Sequence, residues 1–190
     1  MGTNPSVLAS RQFMTVIGAF YCWGVLRHYN AKFADIGLTL RNFRQALVNL
    51  ITPSLVIIAF AMAVMYVASD MQRIWLIGTD TLKYSPMWSR LSVYIFISAP
   101  LQELIFRGYF TYRLEKIVKN NHWLLTLSIL VFTLAHVPFR SPLMVLVALF
   151  MGITYIFNYQ KYRNLLAITV SHAVVGAILM IVRNFYLPYT

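Results

Sequence analysis

Acidic side chains are scarce in this chain: five Asp and Glu stand against sixteen Lys and Arg in 190 residues. Charge of either sign is scarce as well, at 11% of residues, where an ordinary soluble domain carries about a quarter. So few ions cannot cover a water-facing surface, and no part of the chain reads as a soluble globular domain. A single cysteine, Cys22, excludes an intramolecular disulfide and a cysteine-rich metal site. The opening MGTNPSVLAS has no basic stretch before a short apolar core and no clear small-residue cleavage site, so a removable signal peptide is not expected. Internal repeats and low-complexity stretches are also absent from the sequence.

What the chain has in plenty is apolar surface, 59% of its residues being hydrophobic. A bilayer core about 30 Å thick takes about 20 apolar residues per helix. Six segments come near that length: residues 12–26, 46–68, 87–112, 123–137, 142–159 and 165–187. The expected fold is therefore all-α, a polytopic transmembrane helical bundle of about six membrane helices around a polar cavity. Residues 1–86 would supply N-terminal membrane helices and a basic loop, and residues 87–190 the part that carries chemistry, within one structural domain.

The net charge of +11 invites a nucleic-acid reading. The cations do not form a stripe, however; they cluster between apolar runs, as cytoplasmic loops and anionic lipid headgroups require. The bilayer, not nucleic acid, is the expected partner. With six spans, Arg27, Lys32, Arg41, Arg44, Arg113, Lys116, Lys119, Lys161 and Arg163 fall on one side. Arg11, Arg73, Lys83, Arg90, Arg140 and Arg183 fall on the other. The more basic side is the expected cytoplasmic one.

The informative positions are ionisable groups inside apolar runs, each costing about 2.5–3.5 kcal/mol at bilayer depth on insertion scales. SAPLQELIFRGYF holds Gln102, Glu103 and Arg107; FTLAHVPF holds His136; ITVSHAVVGAI holds His172. Glu103 and Arg107, four residues apart, share a helix face and can pair. Pro100 just before them lacks a backbone donor and loosens the helix near Phe96, and Gly108 lets another helix come close. A pair that merely neutralises itself, and histidines merely bonded to neighbouring helices, would account for each residue alone. Together, a carboxylate and two imidazoles can activate water as a general base. Glu103, His136 and His172 would also be the ligands if zinc were bound, although no cofactor is expected and no HExxH spacing is present.

In this order, the three runs resemble the CPBP family of intramembrane proteases, which includes CAAX endopeptidases and bacteriocin-processing proteins. The family pattern is EExxxR, then FxxxH, then HxxxN. Here the matching stretches run from Gln102-Glu103 to Arg107, from Phe132 to His136, and from His172 to Gly176. The resemblance spans residues 98–178 and implies a helical bundle enclosing a water-filled cavity in which a peptide bond is hydrolysed. By matching position it makes His136 a water-activating partner and His172 an oxyanion donor, with Glu103 and Arg107 in support.

Two positions depart from the pattern. Gln102 stands where the family has its catalytic Glu, and an amide has no proton-accepting state near neutral pH. Gly176 stands where the family has Asn. Glu103 could serve as the base with the Gln102 amide as a donor, although neighbours on a helix point about 100° apart. The chain could instead be a pseudoprotease, or carry a Glu-to-Gln change introduced to disable it. The expected function is an intramembrane endopeptidase acting on a membrane-anchored protein or peptide in a bacterial plasma membrane. A catalytically inactive binding or chaperone protein is the alternative, followed by a small proton-coupled transporter, which the missing internal repeat disfavours.

Overall fold

The computed structural model describes residues 5–70 and 86–186, with side chains from 13–68 and 86–184. The loop cations Arg73 and Lys83, the Arg11 side chain and the end of the sixth segment at Leu187 lie outside them. The described residues form helices and connecting turns, with no strand among them. We number the long helices α1 (Pro5–His28), α2 (Phe43–Asp70), α3 (residues 87–117), α4 (Asn121–Leu134), α5 (Pro142–Tyr162) and α6 (Leu165–Tyr186).

All six expected segments are helical. Among the described residues, four helices are long and apolar enough to cross a membrane: Phe43–Ala68, Asn121–Phe139, Pro142–Tyr162 and Leu165–Asn184. The chain is an integral membrane protein. Its outer surface agrees, with Phe20 72% and Val56 62% exposed in a bundle whose lipid-facing sides need no polar cover.

Helix ends follow local chemistry. Asn120 caps α4 by accepting from the backbone N–H of His122 and Trp123. Ser141 caps α5, accepting from Met144 N–H with Pro142 in the first turn. The α5 helix stops at Arg163, whose φ of 48° is left-handed, and Asn164 starts α6 by accepting from Ala167 N–H. In α4 the helix ends at Leu134, short of the expected residue 137. Pro138 has no N–H to bond the Leu134 carbonyl, so the α-helical ladder cannot continue, and a short 3-10 turn, Val137–Phe139, follows. His136 thus stands beyond the helix end.

The α3 helix is not uniformly α. Its 87–93 turn gives way to π-helix over Tyr94–Ser98, returns to α over Ala99–Glu103, and widens again to π over Leu104–Thr111. The backbone stays right-handed helical at every junction. The first π segment ends just before Pro100, where the missing donor was expected to loosen the helix, and Ala99 N–H reaches back to Tyr94 O.

The α2 helix packs on α5 and α6, α4 packs on α5, and α3 lies between α1 and α6. Leu50, Ile57 and Met65 of α2 meet Met151, Tyr155 and Tyr159 of α5 and Ile168 and Val175 of α6 in one core. At one end of the bundle three connections interlock. Arg163 makes a two-pronged pair with Glu115 at 2.5 and 2.7 Å and also donates to Asp35 O. Asn164 donates to the carbonyls of Thr39 and Arg41. The α1–α2 loop, the end of α3 and the α5–α6 turn therefore share one end, as the alternation of six helices required.

Candidate functional site

Glu103 lies between the two π segments of α3 with 0% exposure. A π segment is frequent at functional sites because its wider turn re-aims the side chains that follow. Here Glu103 faces α6, and its Oε1 is 2.5 Å from His172 Nδ1. Arg107 Nη1, one turn on, donates to the same oxygen at 3.3 Å. Three charged or chargeable groups thus meet on one oxygen in the interior, His172 being 2% and Arg107 2% exposed.

Each member is held by its surroundings. The Arg107 guanidinium lies 3.8 Å above the Phe132 ring, a cation–π contact that supplies part of what water would. Phe132 is an apolar hub, its ring 4.8 Å from that of His136 and 5.9 Å from that of His172. Ser171, beside His172, is hydrogen-bonded to Ser54 of α2 at 2.9 Å and to Tyr155 of α5 at 3.3 Å, which fixes the register of α6. His136 Nδ1 is 2.8 Å from the Phe132 carbonyl. A carbonyl only accepts, so Nδ1 carries the proton and Nε2 of the neutral ring is left as an acceptor.

The structure brings Glu103, Arg107 and His172 into direct contact and joins His136 to them through Phe132. The carboxylate's imidazole partner is His172 and not His136. Gln102 is half-buried, with an Oε1 that has no hydrogen-bond partner among the described residues. Glu103 Oε2 and Arg107 Nη2 are likewise buried without partners there. Buried polar groups are nearly always hydrogen-bonded, so these atoms mark unspent capacity along this stretch of α3. Among the described residues no group of three or more His, Cys, Asp or Glu side chains is placed to hold a metal ion.

Tyr94 is the residue that sequence reasoning missed. A Cβ built on Gly176 would overlap the Tyr94 hydroxyl and Cζ and stand 2.5 Å from Cε1. The hydroxyl donates to the His172 carbonyl at 3.4 Å, and the two rings are 6.0 Å apart, edge to face. The one signal available was Gly176 itself: a position without a side chain beside a site can mean that another side chain fills the space.

Comparison with protein families matches residues 84–178 to the family described as Type II CAAX prenyl endopeptidase Rce1-like. That span contains Tyr94, Gln102, Glu103, Arg107, His136, His172 and Gly176. Comparison with curated proteins and with solved structures finds no match.

Proposed function

The chain belongs to the Rce1-like family of type II CAAX prenyl endopeptidases, and from that premise we propose that it is an intramembrane endopeptidase whose working carboxylate is Glu103. The observation that carries this reading is the 2.5 Å contact between Glu103 and His172 across two helices, with Arg107 on the same oxygen. A buried ion pair is a poor source of stability compared with apolar packing, so a sealed acid, base and cation call for a chemical reason.

Glu103 Oε1 is occupied by His172 and Arg107, which leaves Oε2 to take a proton from water. His136 Nε2 is the second acceptor and orients that water, whose oxygen attacks the carbonyl carbon of the scissile bond. His172 donates from Nε2 to the carbonyl oxygen as it gains charge. For that, both ring nitrogens carry protons, and the carboxylate against Nδ1 is the counter-charge of the imidazolium. The proton held on Glu103 passes to the amine as the C–N bond breaks, leaving a carboxylic acid, which keeps the other water proton, and an amine. The substrate is a membrane-anchored protein or peptide.

A second reading, a family member that binds a peptide without cutting it, is favoured by the amide at Gln102. One experiment separates the two. The purified chain is assayed in detergent against a panel of membrane-anchored peptides, beside Glu103→Gln and Gln102→Glu variants. Cleavage that Glu103→Gln abolishes is the expected result. Silence of the unaltered chain with activity gained in Gln102→Glu makes it a disabled protease and overturns the assignment to Glu103.

A further inference from the structure

We propose that Tyr94 supplies, through its phenol O–H, the second hydrogen bond to the oxyanion of the tetrahedral intermediate, in the space that Gly176 leaves without a side chain. This rests on the reading of Glu103 and His172 as the hydrolytic centre and adds a residue that lies outside all three sequence motifs.

Residues 172 and 176 are one turn apart on α6, so a side chain at 176 would stand over the same face as His172. The structure leaves no room for one: a Cβ there would overlap the Tyr94 hydroxyl. The phenol oxygen therefore occupies the place from which a side chain at 176 would reach the site. It arrives from α3, on the first residue of the π segment Tyr94–Ser98 that precedes Glu103. One helix thus carries both the carboxylate and this hydroxyl, while α6 supplies the imidazole and the gap.

The Tyr94 proton is also weakly committed. Its acceptor, the His172 carbonyl, is 3.4 Å away, beyond the usual 2.5–3.0 Å for an O–H···O bond. Turning the hydrogen toward a substrate oxygen gives up little. A phenol is a competent oxyanion donor, and removing one such donor costs about 10²–10³ in kcat. The competing explanation is a tyrosine that only fills volume, and that explanation needs the ring but not the hydroxyl.

The experiment uses the full chain with a substrate it cleaves, and compares Tyr94→Phe, Tyr94→Ala, Tyr94→Ala/Gly176→Asn and Glu103→Gln. We expect Tyr94→Phe to lower kcat by about 10²–10³ while KM and the thermal midpoint stay close to those of the unaltered protein. Adding Gly176→Asn to Tyr94→Ala restores at least about tenfold of the lost kcat, because the asparagine amide then has both the space and a donor to offer. Full kcat in Tyr94→Phe beside loss in Glu103→Gln overturns the role of Tyr94 and leaves the hydrolytic centre standing. Cleavage that survives Glu103→Gln, or a chain that cleaves nothing, removes the hydrolytic centre and this inference with it.

Discussion

Arg107 is enclosed in the bundle with an aromatic ring as its floor, and its stability cost depends on what it leaves behind when removed. Taking away one partner of a buried pair typically costs about 3–5 kcal/mol, because the other charge stays buried without it. Glu103 retains His172, so Arg107→Met belongs at the lower end, about 3 kcal/mol. The double variant Glu103→Gln/Arg107→Met removes both charges of the pair and leaves His172 as a neutral imidazole, so it is expected to recover most of that loss in unfolding experiments. A double variant as unstable as Arg107→Met alone would mean that the cation–π contact on Phe132, not the ion pair, is the main loss. The Glu103–Arg107 pair was legible in sequence because a helix brings residues four apart together. The contact between Glu103 and His172 was not, since 69 residues separate them and only the packing of α3 on α6 creates it. Tyr94 was hidden for another reason: one tyrosine in an apolar run carries no signal until Gly176 is seen to make room for it.

At the scale of the element, all six helices could be read from their apolar runs, while their interiors could not. Periodicity locates a helix but does not distinguish α from π, so the widened turns that aim Tyr94 and Glu103 had only Pro100 as a hint. The stop before His136 was written in Pro138, and it matters because a histidine beyond a helix end can bend back to the Phe132 carbonyl. The connection between α1 and α2 shows how much the turns contribute. Gly37 has a φ of +77°, its carbonyl accepts from Leu165 N–H at 2.8 Å, and a Cβ on it would stand 2.7 Å from Arg163 O. Gly37→Ala therefore meets left-handed strain and a backbone clash together, and should lower stability by about 1–3 kcal/mol. Measured by chemical unfolding in detergent, a change below about 0.5 kcal/mol, the usual range of a neutral surface substitution, would show that the loop does not hold α6 as described.

For the molecule as a whole, the interlocked end bears on how the bundle stands in its membrane. Glu115, Arg163, Asp35 and Asn164 tie three connections together there, and those connections with the helix ends beside them carry nine of the sixteen cations. Sequence alone grouped these loops only by assuming six crossings; the hydrogen bonds between them make the grouping independent of that count. By the positive-inside rule, that end is the one expected to face the cytoplasm. Because Cys22 is the only cysteine, a Cys22→Ala chain offers a clean background for single reporter cysteines. Lys32→Cys, Lys119→Cys and Lys161→Cys should be shielded from an impermeant maleimide added to intact cells and react once the membrane is opened. Arg140→Cys, exposed in the turn between α4 and α5, should react from outside. Reaction of all three lysine positions from outside would invert the orientation. Reaction of Lys32→Cys and Lys161→Cys from opposite sides would break the shared end itself, and with it the arrangement that sets α3 against α6 and closes Glu103 onto His172.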